Sequence, residues 1–165
     1  MTNKLFNTFY FTGLGKDHLS EMMIKRFKYE NLKIDLIQRI KGKYPGLYSI
    51  QTDKKGNRSF SYWRNESAAK EMIKNCNLDN LEKFIGNTEL FYYTGISLGI
   101  LKPKDQNKLI ELSKKSKLTA FDFNYRNSFH GNKIKSQSLF KKSNFVSKIN
   151  FISFDDIIEI FGKSD

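Results

Sequence analysis

Short apolar runs of strand length alternate with helix-spaced segments along almost the whole chain, and this alternation is the strongest constraint on its fold. Phe9-Tyr10-Phe11-Thr12-Gly13 reads as a buried strand. Asp17 then caps a helix whose apolar face is Leu19, Met22, Met23 and Phe27, with Asn31 as its stop. Leu36 to Ile40 reads as a second strand, Ala68 to Ile73 and Leu78 to Phe84 as helices, and Glu89 to Thr94 as a strand ending at Gly95. Pro103 opens a helix that runs to about Lys115. Thr119 to Phe123 is the next strand, followed by a helix around Lys133 to Phe140, a strand over Ile149 to Ser153, and a helix over Asp155 to Phe161 closed by Gly162. Repeated strand–helix units predict an α/β fold with a mostly parallel, Rossmann-type sheet. In such sheets ligands gather outside the carboxyl ends of the strands. Three polar clusters fall there: Thr94-Gly95, Asn124-Tyr125-Arg126, and Ser153 with Asp155 and Asp156.

One hairpin interrupts the alternation and is expected to project as a flap over that edge. Its strands are Gly46 to Thr52 and Arg58 to Arg64, joined through the turn Asp53-Lys54-Lys55-Gly56. The second strand, Arg58-Ser59-Phe60-Ser61-Tyr62-Trp63-Arg64, is a run of aromatics ending in arginine, and Tyr48 stands on the first. Rings pack on a carbon skeleton and a planar guanidinium grips a carboxylate through two parallel bonds, so this surface suits a small polyhydroxylated acid. Alternation along a strand implies that one of Tyr62 and Trp63 faces a core, and Tyr62 is assigned to the ligand side. Arg64 has two readings, a surface ion pair with Glu66 or a carboxylate clamp, and the neighbouring rings favour the clamp. Arg126 is either a loop contact or a ligand group, and its place at a strand end favours the ligand. Asn124 sits beside it as a turn former or a further substrate contact, and Asp122 is read as structural or as a support behind the substrate contacts.

The 165 residues suit one domain with a real core. Lys and Arg outnumber Asp and Glu by 29 to 17, a net charge of +12 that would serve nucleic-acid binding. The lysines are interrupted by Ser and Asn and form no stripe, so scattered solvated charge is the preferred reading. One cysteine, Cys76, excludes an intramolecular disulfide. The start, Met1 to Phe6, lacks a signal-peptide core, and no window reaches the roughly 18 apolar residues of a membrane span, so a cytoplasmic location is expected. His18 and His130 are far apart and lack a matching ligand set, so no metal site is assigned to them.

Several segments resemble, in order and spacing, the ribokinase-like (phosphofructokinase B type) carbohydrate kinases, and within them the 2-keto-3-deoxygluconate kinase branch. They are Gly13-Leu14-Gly15-Lys16-Asp17, Pro45-Gly46-Leu47-Tyr48, Arg58 through Asn65, Ser67-Ala68-Ala69, Tyr93-Thr94-Gly95-Ile96-Ser97-Leu98, Phe121 through Arg126, and Ser153-Phe154-Asp155-Asp156 through Phe161-Gly162. The resemblance implies a ribokinase-like core from 1–36 and 67–165, incomplete at both ends, and a small β-lid over 37–66. It implies transfer of the γ-phosphoryl of ATP, with Mg2+, to a hydroxyl of 2-keto-3-deoxygluconate, in Entner–Doudoroff-type sugar-acid metabolism. The resemblance implies substrate contacts at Tyr48, Tyr62, Arg64 and Arg126, to which Asn124 is added from its place beside Arg126, and paired lids imply a homodimer. The family's Gly-x-Gly-Asp segment, with its anion hole and catalytic Asp, is not in this sequence, and Ser153-x-x-Asp156 stands where many members have Asn-x-x-Glu. No catalytic residue is therefore assigned, and these residues alone are expected to be inactive and poorly soluble unless a complementing C-terminal half covers them. The alternatives are a split or eroded kinase remnant without catalysis and, less favoured, a basic nucleic-acid-binding protein.

Overall fold

The computed structural model describes residues 6–74, 76–126 and 133–162. Met1 to Leu5, at the expected leaderless start, and His130, considered above as a metal ligand, lie outside the described residues. The chain divides into two compact units, Met1–Cys76 and Asn77–Asp165.

In the first unit, β1 (Thr12–Leu14) pairs in parallel with β2 (Ile37–Arg39), Thr12 opposite Ile37 and Leu14 opposite Arg39. Between them runs α1 (His18–Tyr29), which starts where the sequence places it. The Asp17 carboxylate accepts from the Leu19 and Ser20 amides at 3.0 and 3.1 Å and from the Ser20 hydroxyl at 2.5 Å. These bonds satisfy donors that the first helical turn leaves open. The expected apolar face of α1 divides: Met23 and Phe27 pack on Leu14, Ile24 and Ile37, whereas Leu19 and Met22 are exposed. The strand starts later than its apolar run suggests, because Phe9 makes only an isolated bridge to Lys33 before β1 begins. Gly15 is fixed by crowding, since a Cβ there would lie 1.8 Å from the Lys43 carbonyl oxygen.

The hairpin forms as expected from β3 (Leu47–Thr52) and β4 (Arg58–Trp63), antiparallel. Asp53 organises the turn, accepting from the amides of Lys55 and Asn57 at 2.8 and 2.9 Å, while Gly56 takes φ +84°. Ala68–Glu71, expected as part of a longer helix, is a short 3-10 turn.

The second unit carries α2 (Leu78–Gly86), β5 (Leu90–Thr94), α3 (Gly95–Gly99), α4 (Pro103–Ser113), β6 (Leu118–Asp122), α5 (Lys133–Val146), β7 (Ile149–Phe151) and α6 (Phe154–Phe161). Its three strands are all parallel, in the order β5-β6-β7. One sheet face is aromatic: Tyr93 meets Phe121 at 4.9 Å between ring centroids, and Phe140 of α5 meets Phe121 and Phe123 at 5.5 Å each. These rings are nearly or fully buried. On the other face Leu90, Tyr92, Ile149 and Phe151 are exposed. That departs from the usual burial of both faces of a parallel sheet.

Two predictions follow from these contacts. Phe140→Ala should lower stability by about 3–5 kcal/mol, because the emptied ring site lies between strands and helix and cannot collapse easily; urea unfolding reads this as a lower midpoint. The Ser20 hydroxyl, with smaller help from the Ser20 and Leu19 amides, holds the Asp17 carboxyl below its ordinary value. A carboxyl depressed in the folded state stabilises above its unfolded pKa, roughly 3.9, and loses that effect as pH falls through the folded value. Native protein should therefore melt above Asp17→Ala at neutral pH, with the gap narrowing below about pH 4.

Candidate functional site

The expected site residues fall into two groups, one in each unit. On the hairpin, strict pairing places Tyr48 opposite Tyr62 and Ile50 opposite Phe60, so all four share one face of the ribbon. The Phe60 and Tyr62 rings stack 6.0 Å apart with a 5° angle between planes, and Tyr48 lies 6.2 Å from Tyr62. The Arg64 guanidinium carbon sits 3.9 Å from the centre of the Tyr62 ring. Tyr48, Tyr62 and Arg64 are thus brought together as expected, with Phe60 as a member that the sequence reading did not single out. Glu66, the alternative partner considered for Arg64, accepts from Lys43 Nζ at 2.7 Å.

The expectation that one of Tyr62 and Trp63 faces a core fails. Tyr62 is 50% exposed and Trp63 61%, and every residue of both strands is exposed. Alternation sorts side chains between two faces, but a face becomes a core only when another layer covers it. In this ribbon neither face is covered among the described residues.

In the second unit, the carboxyl ends of β6 and β7 surround an open hollow of about 820 Å³, lined among others by Asp122, Asn124, Arg126, Ser153, Asp155 and Glu159. Asn124 and Arg126 are therefore neighbours on one hollow, and the polar clusters that the strand-end argument selected from β6 and β7 converge there. Asn124 takes φ +34°, a left-handed bend that asparagine tolerates better than most residues. The bend follows Phe123, whose amide donates to the Phe151 carbonyl at 2.9 Å. Beyond it Tyr125 turns inward, 4% exposed and edge-on to Phe140 at 5.7 Å, while Arg126 is exposed. Arg126 Nη1 donates to the Tyr125 carbonyl at 2.6 Å.

Asp122 lines the hollow, and its Oδ2 accepts from the Tyr92 hydroxyl at 3.0 Å. Partial desolvation of the phenol first, then its hydrogen bond to Asp122 and last the Asp122 charge, push the Tyr92 phenol above its ordinary value. Thr94 and Gly95 have structural duties. The Thr94 side chain caps α3 in a reciprocal pair with Ser97, and a Cβ on Gly95 would lie 2.1 Å from the Phe123 carbonyl oxygen and 2.6 Å from the Phe140 ring. Ser153 and Asp156 make the same reciprocal cap on α6. The spacing Ser-x-x-Asp resembles a capping-box signature and was the available signal for that arrangement.

Among the described residues, no three acidic, histidine or cysteine side chains gather as metal ligands. Asp156 is occupied by amide and hydroxyl donors, and Asp122 by the Tyr92 phenol. These carboxylates do not fit a resident Mg2+ of the kind the family resemblance implies, and no step is routed through one. Four of the lysines make surface ion pairs. Lys114 pairs with Glu111, Lys142 with Glu111 at 3.2 Å, Lys115 with Glu82 at 3.2 Å and Lys117 with Glu89 at 2.6 Å.

Comparison with known proteins places this arrangement. The family described as pfkB family carbohydrate kinase matches residues 3–164. The 2-dehydro-3-deoxygluconokinase of Escherichia coli (strain K12) is 34% identical over 158 residues, covering 93% of this chain and 51% of that protein. A solved 2-dehydro-3-deoxygluconokinase from Thermotoga maritima superposes with a TM-score of 0.77 at 20% identity, covering 94% of this chain and 48% of the other. An uncharacterized sugar kinase from Pyrococcus horikoshii, solved in complex with ATP, gives 0.77 at 19%, covering 94% and 51%. The chain spans about half the length of the relatives it matches. With its parallel sheet, strand-end hollow and aromatic hairpin, and with a match across nearly its whole length, the chain belongs to the pfkB family of carbohydrate kinases and has their ribokinase-like α/β fold.

Proposed function

We propose that this chain supplies the sugar-acid-binding portion of an ATP-dependent kinase that phosphorylates 2-keto-3-deoxygluconate, another name for the 2-dehydro-3-deoxygluconate of its relatives. The observation that carries the proposal is the Arg64 guanidinium over the Tyr62 ring, beside Tyr48 and Phe60. A guanidinium meets a ring through its face and a carboxylate through its edge, so stacking and acid recognition are compatible. The rings cover the carbon skeleton of the substrate, and the phenols of Tyr48 and Tyr62 bond to its hydroxyls. On the strand-end hollow, Arg126 is a second cation for the carboxylate or keto oxygen, and Asn124 an amide for a hydroxyl. The hairpin acts as the β-lid of the kinase, within the boundaries 37–66.

The reaction breaks the bond between the γ-phosphorus of ATP and its bridging oxygen and forms one to a substrate hydroxyl oxygen. The hydroxyl proton passes to a base and ADP departs. Such transfer depends on positioning and charge neutralisation. This sequence contains positioning residues but no Gly-x-Gly-Asp segment. On this reading a complementing C-terminal half holds ATP and Mg2+ and provides the base, and pairing of lids between two copies makes a homodimer. Exposure of Leu90, Tyr92, Ile149 and Phe151 on one sheet face supports a further layer packing there. The proposed setting is cytoplasmic; among the described residues no helix is long and apolar enough to cross a membrane.

Titration calorimetry with 2-keto-3-deoxygluconate tests substrate recognition. Arg64→Ala and Arg126→Ala should each weaken binding by about tenfold to a hundredfold, the worth of one charged hydrogen bond. Equal affinity in all three proteins would overturn the site. A coupled assay of ADP release tests the division of labour: these 165 residues alone should show no turnover, and robust turnover would refute the need for a second half.

A further inference from the structure

We infer that Asp156 is a positioning residue that sets Arg126 for the substrate, by clamping the peptide immediately before it; this rests on the proposed role of Arg126. Asp156 is nine-tenths buried at the start of α6. Its Oδ1 accepts from the Tyr125 amide at 2.7 Å, across 31 residues of sequence. Its Oδ2 accepts from the Ser153 hydroxyl at 2.7 Å and the Ser153 amide at 3.2 Å. Three donors thus occupy a carboxylate that offers roughly four acceptor positions. The Tyr125 carbonyl, on the same residue, accepts from the Arg126 guanidinium at 2.6 Å.

The contacts form one chain: the carboxylate fixes the Tyr125 amide, the Tyr125 ring is seated on Phe140, and the Tyr125 carbonyl holds the guanidinium of Arg126. This matters because Asn124, at φ +34°, holds a left-handed bend that carries some backbone strain even for asparagine, so a fixed neighbouring peptide helps to keep it. The Asp156 bond to the next amide fixes that peptide. Hydrogen bonds to an ionised acceptor are shorter and stronger than neutral ones, and the N-terminus of α6 favours the negative charge. The sequence pattern Ser-x-x-Asp describes only the local cap. The long-range bond gives the same carboxylate a second duty, and it accounts for an acid at this position without assigning it a metal.

The test compares native protein with Asp156→Ala and Asp156→Asn by amide hydrogen exchange and calorimetry. The Tyr125 amide should exchange at least about tenfold faster in Asp156→Ala, the loss of one charge-assisted bond, and regain much of its protection in Asp156→Asn, whose carbonyl still accepts. Asp156→Ala should weaken sugar-acid binding by about tenfold when Arg126 is present and have no further effect in an Arg126→Ala background. Unchanged Tyr125 exchange in Asp156→Ala overturns the clamp. Equal weakening with and without Arg126 overturns the claim that Asp156 acts through it. Should Asp156→Ala fail to fold, Asp156→Asn against native protein carries both comparisons, with smaller shifts in the same direction. Should native protein not bind the sugar acid, the substrate reading fails separately, and Tyr125 exchange together with the Arg126 side-chain N–H resonance still decides whether the clamp holds the guanidinium.

Discussion

Close packing of Phe140 against the ends of β5 and β6 is the contact on which the second unit depends. The ring touches Phe121, Phe123 and Tyr125 and leaves so little room beside Gly95 that a single added carbon would collide with it. Interiors packed this tightly transmit position from one element to another. Helix α5 is thereby tied to β6, to the loop after it and to the start of α3. The same ring seats Tyr125, and from that anchored residue the chain delivers Arg126 to the hollow. Core and site are one continuous structure here: the aromatic layer sets where the loop starts, and Asp156 sets how its peptide is turned.

The first unit builds its proposed binding surface differently. Its hairpin carries aromatic rings on a ribbon whose two faces are both open. The rings hold one another through cross-strand pairs, and the guanidinium of Arg64 completes the stack. Such a surface is ordered by its own register rather than by a core beneath it. Two-stranded ribbons are marginal alone, which is consistent with a lid that operates against further structure.

Much of this was legible because it is local. Asp17 before a helix-spaced run, Pro103 at a first turn, and Asp53 through Gly56 between alternating segments each carry their structural meaning within a few residues. The hairpin and its turn also followed, whereas its register, with Tyr48 opposite Tyr62, came only from the folded chain. The strand-end rule located the hollow from Asn124 and Arg126 on one side and Ser153 on the other. Local signals were weaker at element edges. Phe9 to Phe11 has strand composition but little ladder, and Ala68 to Ile73 has helix composition but closes only a 3-10 turn, because neighbouring contacts decide how far an element extends.

The sequence by itself determined the order and type of most elements, the Asp17 cap of α1, the aromatic run of the hairpin and the kinship with sugar kinases, all of which reside in local spacing or in motifs kept in order. Tertiary structure decided which faces are covered, so that Tyr62 and Trp63 are both open while Tyr125 is buried beside an exposed Arg126. It also decided that Asp156 reaches back 31 residues to the Tyr125 amide. The physical reason is range: periodicity tells each side chain which way to point, but only the folded chain brings the atoms that meet it.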